Sequence, residues 1–229
     1  MSENTLTFYN NPDLKAQRIA NAIRHRDSDM LVSGVYNDKN GHGCSVGCDA
    51  IDLDYTGDTP HAIVANKWGT PLWLEHLRDC VFEGLPPDAR AEWHVNLARA
   101  IPIGANLDCI YHQFLAWLLS NESPCSAENA DTQVAAAVSA VRELHLRAIA
   151  GEAVTPEEWA AAAYSAARSA AHSAADSAAY AARSAYAAYS AAYAAADSAA
   201  YAARSADSAA YSAAYFAFAA KLLELLGKA

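Results

Sequence analysis

The residues best equipped for chemistry are concentrated in one block, Gly41–Cys48, with the sequence GHGCSVGC. Thiols and imidazoles bind zinc, and a thiol beside an imidazole can act as a nucleophile. Glycines let backbone N–H groups converge on an anion. The block therefore suggests a metal site, a cysteine nucleophile or an anion-binding loop, and a fourth interpretation is that its small residues serve close packing.

A metal site would combine Cys44 and Cys48 with His25, His42 or His61. The spacing is Cys-x₃-Cys rather than the Cys-x₂-Cys of common zinc sites, and no second cysteine pair exists. The sequence therefore predicts no metal and no cofactor.

A cysteine nucleophile needs a base and a group that orients the base. Cys44 or Cys48 would take one of the eight histidines as base, with Asp27 or Asp49 as the orienting carboxylate. Because so many histidines are present, the pairing is not specific, and no catalytic residue is assigned.

An anion-binding loop is the most specific chemical interpretation, because three glycines follow a predicted strand. The spacing is not that of a dinucleotide fingerprint. The residues predicted to bind a ligand are His42, Gly43, Cys44, Ser45, Gly47 and Cys48, together with Arg183 and Tyr186 of the C-terminal tail.

The block itself has two alternative conformations. It is either the second strand of a hairpin that continues to Ile51, or a glycine-rich turn entering a helix. In a strand, Cys44 and Cys48 would lie about 13 Å apart. In a helix they would be neighbours about 6 Å apart.

The elements around the block predict a mainly α protein: a helical head domain over 1–150 with one small β-hairpin, and a tail over 151–229. Met30–Tyr36 reads as the first hairpin strand. Six helices are predicted in the head from apolar periodicity and from Pro and Gly boundaries: Pro12 to His25, His61 to Lys67, Leu72 to Phe82, Asp88 to Ile101, Leu107 to Leu119 and Val134 to Ala150.

The tail, rich in Ala and Ser, predicts one long helix. Thr155, Pro156 and Glu158 form a helix-start signature, and Gly227 marks the end. The large residues from Tyr164 to Phe218 make fifteen steps over 54 residues, an average of 3.6 per step. The helix is expected either to run straight and join copies into a homo-oligomer, or to bend into two antiparallel halves.

Charge and composition limit the partners. The net charge is −10 and no basic patch stands out, which argues against duplex nucleic acid. The longest tail run without charge, 184–196, is too short to span a membrane. Five cysteines and a polar N-terminus predict a cytoplasmic protein, in the host cytoplasm if phage-encoded.

Three motifs in order, GCSVGC at 43–48, VFEGLP at 81–86 and AIPIGANL at 100–107, precede the Ala/Ser/Tyr/Arg tail. This arrangement resembles a family of uncharacterised phage and bacterial proteins, over roughly residue 25 to the end. The resemblance implies a phage accessory role and supplies no catalytic residue.

The sequence thus favours a non-enzymatic, phage-type accessory protein that binds and sequesters a small polar or nucleotide-like ligand, or a host protein, to counter host defence. The alternatives are a small cysteine- or metal-dependent enzyme acting at Cys44/Cys48 and a structural helical scaffold.

Overall fold

The computed structural model describes residues 6–57, 59–124, 132–169 and 208–229, and within these the chain is mainly α-helical. In chain order the helices are α1 (Pro12–Asp27), α2 (Ser45–Ile51), α3 (His61–Trp68), α4 (Leu72–Gly84), α5 (Pro87–Ala100), α6 (Asp108–Leu118), α7 (Thr132–Ile149), α8 (Pro156–Ser169) and α9 (Ser208–Leu226). A short 3₁₀ turn, Thr7–Asn10, precedes α1.

The chain divides into two compact units, Met1–Leu107 with Leu222–Ala229, and Asp108–Lys221. In the first unit α1 packs on α5, while α2, α3 and α4 contact one another. In the second unit α7 contacts both α6 and α8. The predicted head–tail boundary at residue 150 falls between α7 and α8.

Local chemistry explains where the helices of the first unit begin and end. Asn11 Oδ1 accepts a hydrogen bond from Asp13 N at 2.9 Å, and Pro12 occupies the first turn of α1. At the end of α3, Gly69 adopts a left-handed φ of 62°, and a Cβ there would lie 3.0 Å from Leu6 O. Glycine is therefore required at that position.

The predicted β-hairpin is wrong: the described residues contain no strand pair, only an isolated parallel bridge between Leu31 and Gly43. Gly34 interrupts the expected first strand with a φ of 83°. The block is instead the glycine-rich turn entering a helix, because α2 begins at Ser45. Cys44 caps this helix through Sγ, which accepts a hydrogen bond from Gly47 N at 3.4 Å.

The two ends of the tail are helical as expected, in α8 and α9. Thr155 and Glu158 form the predicted capping box: Glu158 N donates to Thr155 Oγ1 at 3.2 Å, and Thr155 N donates to Glu158 Oε2 at 2.8 Å. Helix α9 ends at Leu226, directly before Gly227. The prediction of one continuous helix, or of a bend near Tyr180, concerns 170–207, which lie outside the described residues.

None of the helices in the described part of the chain is long and apolar enough to cross a membrane.

Candidate functional site

Two of the sequence motifs meet in the first unit. Cys44 of GCSVGC lies at the start of α2, and Glu83 of VFEGLP lies on α4, one turn after Asp79. One potential metal-binding atom from each of Cys44, Asp79 and Glu83 lies within 4.8 Å of the other two. We call these three residues the motif cluster.

The glycines of the block bring the preceding loop onto α2. A Cβ on Gly43 or on Gly47 would lie 2.3 Å from Tyr36 O, which is closer than atoms can pack. Both glycines are therefore needed because the backbone of Tyr36 crosses directly over the start of α2. This matches the packing interpretation of the block, and it places the thiol of Cys44 beneath the loop.

Asp79 is the centre of the motif cluster. The Cys44 thiol donates to Asp79 Oδ1 at 3.1 Å. The other carboxylate oxygen of Asp79, Oδ2, accepts a hydrogen bond from Tyr36 OH at 3.1 Å and lies 3.0 Å from His61 Nε2. The His61 ring in turn stacks on His76, with centroids 4.0 Å apart.

The pKa values of these groups reflect burial and crowding of negative charge. Burial, and then the charge of Asp79, raises the pKa of the Cys44 thiol well above its usual value. Burial and the neighbouring Asp79 also raise the pKa of Glu83. Burial alone would raise the pKa of Asp79, but hydrogen bonds from His61 and Cys44 outweigh it and lower that pKa. The cluster thus holds a protonated thiol beside a carboxylate.

Cys48, the other thiol of the block, does not belong to the cluster. Its Sγ lies 3.4 Å from Gly43 O and 3.5 Å from Met30 O, so it contacts backbone carbonyls. Burial raises its pKa to about 12. Four cysteines, Cys44, Cys48, Cys80 and Cys109, are free thiols, and Cys125 lies outside the described residues.

A second set of charged residues fills the interior next to the cluster. Arg78 Nη1 lies 2.8 Å from Asp49 Oδ2 and 2.7 Å from Glu75 Oε2. Arg18 Nη2 lies 2.9 Å from Glu75 Oε1. All four side chains are at most 3% exposed. We call Arg18, Asp49, Glu75 and Arg78 the charge core.

A chain of hydrogen bonds connects the charge core to the surface. Arg78 Nε donates to Ser45 Oγ at 2.6 Å, and Ser45 Oγ lies 2.8 Å from His94 Nδ1. His94 Nε2 lies 3.2 Å from His25 Nδ1, and His25 Nε2 lies 3.0 Å from Asp52 Oδ2. A serine bonded to an imidazole resembles a nucleophile with its base. Ser45 is 0% exposed, however, so its hydroxyl does not meet a substrate in this conformation.

Two groups of potential metal ligands differ in the positive charge around them. His25, Asp49 and Asp52 also bring one such atom each within 4.8 Å of the others. Their carboxylates are already neutralised, because Arg18 and Arg78 face Asp49 and Arg24 faces Asp52. In the motif cluster no Arg or Lys is paired with either carboxylate among the ion pairs of the described residues, and Asp79 has only the imidazole of His61. Of these two clusters, the motif cluster is the one without an arginine ion pair, and the charge of Arg90 only partly offsets the raised pKa of Glu83.

The second unit contains a histidine pair. His112 Nδ1 lies 2.9 Å from His145 Nδ1, and the Trp159 ring packs 4.8 Å from the His145 ring. Burial, and then His112, lowers the pKa of His145 to about 3. Within the described part of the chain this pair joins no group of three metal-ligand residues.

Most of the predicted ligand residues lie close together in the structure, but they differ in how far they are buried. Gly43, Cys44, Ser45, Gly47 and Cys48 are buried, while His42 is partly exposed in a turn with Nδ1 2.8 Å from Asp38 Oδ2. Arg183 and Tyr186 lie outside the described residues. Ligand binding by this set stays a prediction.

Sequence reasoning missed Asp79 and Glu83 as partners of Cys44. One signal was present: the two carboxylates are four residues apart, so on one helix they share a face. A carboxylate that is buried on such a face needs a partner. The sequence did not say which partner, because Cys44 is 35 residues away.

No protein-family model, curated protein or solved structure matches this chain.

Proposed function

We propose that this protein binds a divalent transition metal at the motif cluster and works as a binding protein rather than as a thiol enzyme. The observation that carries the proposal is the convergence of a thiol and two carboxylates from two separate motifs within 4.8 Å. His61 is not one of these three residues; its Nε2 lies 3.0 Å from Asp79 Oδ2 and orients that carboxylate.

The donor set favours a zinc-class ion. The thiolate of Cys44 suits Zn²⁺, whereas Ca²⁺ and Mg²⁺ take oxygen ligands almost alone. With metal–ligand bonds of about 2.0 to 2.3 Å, neighbouring ligand atoms in a tetrahedron lie roughly 3.3 to 3.8 Å apart. The 3.1 Å between Cys44 Sγ and Asp79 Oδ1 is close to that separation.

The protonation of Cys44 also fits the proposal of metal binding. A thiol binds metal as the thiolate, so binding releases the Cys44 proton, and affinity rises with pH. The ion replaces this proton between Sγ and Asp79 Oδ1. It also adds positive charge beside the carboxylates of Asp79 and Glu83.

The alternative, a cysteine nucleophile, is disfavoured by two features of the site. The raised pKa of Cys44 keeps the thiol protonated at neutral pH. Its hydrogen-bond partner is the Asp79 carboxylate, and the imidazole of His61 contacts that carboxylate instead of the sulfur. An activated thiol needs the imidazole as its own partner.

The wider role remains the one expected from the sequence, a phage-type accessory protein that sequesters a polar ligand or a host protein, with homo-oligomerisation through the tail. A bound metal supports this role because it acts as a Lewis acid, to which phosphate or carboxylate oxygens of a ligand bind. Light scattering of the full chain tests the oligomer, which a monomeric mass at micromolar concentration would exclude.

Metal titration tests the proposed function. The apo protein is titrated with Zn²⁺ and with Co²⁺, and we expect one ion per chain and a sulfur-to-cobalt absorption band in the near ultraviolet. Cys44→Ser removes the thiolate ligand and abolishes the band. Cys48→Ser is the matched control, because it lies one helical turn away in the same block and leaves the band unchanged.

Two results would overturn the proposal: a wild-type chain that takes up no ion, or a Cys48→Ser variant that loses the band as fully as Cys44→Ser does.

A further inference from the structure

Three consecutive residues of the loop before α2 each hold one member of the motif cluster. Gly34 N donates to Glu83, with Oε1 at 3.0 Å and Oε2 at 2.9 Å. Cys44 N donates to Val35 O at 2.7 Å. Tyr36 OH donates to Asp79 Oδ2 at 3.1 Å. We call residues 34–36 the clasp.

From this arrangement we infer that the clasp is the outer shell of the metal site, that Tyr36 is a positioning residue for the ligand Asp79, and that metal binding orders the clasp. The inference rests on the proposed function. Groups that hydrogen-bond to metal ligands fix the orientation of those ligands and commonly change metal affinity 10- to 100-fold.

Tyr36 contacts Asp79 Oδ2, which leaves the other carboxylate oxygen, Oδ1, available for a metal beside the thiol. Tyr36 and His61 both contact Oδ2, whereas Oδ1 faces Cys44 Sγ. The phenol therefore fixes the carboxylate with Oδ1 turned toward the sulfur. A metal between Oδ1 and Sγ leaves the phenol bond intact.

The clasp lies at the surface while two of the groups beneath it are buried. Val35 is 41% exposed, whereas Cys44 is 1% and Asp79 6% exposed. Arg90 Nη1 anchors the loop from outside by donating to Ser33 Oγ at 2.9 Å. Separation of the clasp would remove the loop that lies over Cys44.

Because the clasp contacts all three ligands, its closure and metal occupancy are thermodynamically linked. Whatever closes the clasp raises metal affinity, and metal binding favours closure by the same factor. A partner that displaces the clasp would release the metal.

The first test compares two phenol deletions in the full-length chain. Tyr36→Phe removes the hydroxyl on Asp79 and is expected to weaken Co²⁺ binding about tenfold and to shift the cobalt visible spectrum. Tyr55→Phe is the matched control, because its hydroxyl contacts Thr59 O in another loop and no ligand. It should bind as the wild type does.

The second test leaves every ligand contact in place. Ser33→Ala removes the Arg90 anchor, and the linkage predicts a severalfold loss of affinity. Hydrogen exchange at the Gly34 amide of the wild type should slow on metal addition, because metal binding favours the closed clasp.

The outcomes separate the two proposals. A wild-type chain that binds no metal overturns both. If the wild type binds metal but Tyr36→Phe has the same affinity and spectrum, the clasp inference alone is overturned. The same holds if metal does not change hydrogen exchange at Gly34. Folding of each variant is checked by circular dichroism, and an unfolded Tyr36→Phe shifts the decision to Ser33→Ala.

Discussion

Arg78 Nη1 lies 2.8 Å from Asp49 Oδ2 in the interior of the first unit, where both side chains are at most 2% exposed. The same guanidinium bonds Glu75 and, through Nε and Nη2, the side chain and carbonyl of Ser45. Burial alone would lower the pKa of Arg78, but Asp49 and Glu75 outweigh it and raise it, so the arginine stays charged. It joins α2 to α4 and so holds the motif cluster together.

Arg78→Met is therefore expected to destabilise the chain by about 3 to 5 kcal/mol, since it leaves the carboxylates of Asp49 and Glu75 buried with less compensation. Urea unfolding at neutral pH measures the change. Arg26→Met is the control, because Arg26 makes partly exposed ion pairs with Asp27 and Glu92. It should cost much less, because exposed ion pairs contribute little to stability. Equal losses in the two variants would contradict a stabilising charge core.

Gly47→Val is expected to destabilise the chain by more than about 2 kcal/mol, because the new Cβ would meet Tyr36 O at 2.3 Å and force the loop away from α2. Thermal unfolding measures this change. Ala20→Val places the same side chain on an exposed position of α1 and should cost only the helix propensity, about 0.6 kcal/mol. An unchanged melting temperature for Gly47→Val would rule out the close crossing.

Acid should destabilise the second unit through His145. Burial lowers its folded-state pKa to about 3, whereas the unfolded histidine has a pKa near 6.5. Between these values the unfolded chain binds the extra proton, so stability falls as pH decreases from about 6.5 toward 3. One such group removes about 2 kcal/mol by pH 5.

Urea unfolding followed by tryptophan fluorescence at pH 7 and at pH 5 measures this dependence. His145→Phe should reduce the difference between the two pH values by about 2 kcal/mol. Gln113→Ala, next to His112 on α6, is the control and should keep the wild-type difference. A His145→Phe variant with the full pH dependence would show that the pair is not its source.

Helix positions were largely predictable from the sequence. Pro12 marks a start, Gly84 and Gly227 mark ends, and the Thr155–Glu158 capping box forms as expected. These signals act within a few residues, because caps and proline geometry satisfy or remove the end groups of the helix itself. Helices α1, α3, α4 and α5 accordingly begin and end within about two residues of their predicted bounds, whereas α2 had no predicted bounds.

The hairpin was not predictable in the same way. Met30–Tyr36 is β-branched and apolar like a strand, but Gly34 takes a left-handed φ and its N–H bonds Glu83, 49 residues away. The loop is thus fastened to α4, and it has no antiparallel neighbour among the described residues. A distant side chain decided the conformation.

In the candidate site, too, some features follow from local sequence and others depend on residues far along the chain. The sequence by itself placed Asp79 on the helix predicted from Leu72 to Phe82, because apolar periodicity is a local signal. It left open whether Cys44 lies in a strand or at a glycine-rich turn entering a helix. It placed Arg18 among the polar positions of α1, where a charged residue normally faces water. Only the tertiary structure buried Arg18 against Glu75 and set Asp79 against Cys44, since the cost of burying a charge depends on a partner far along the chain.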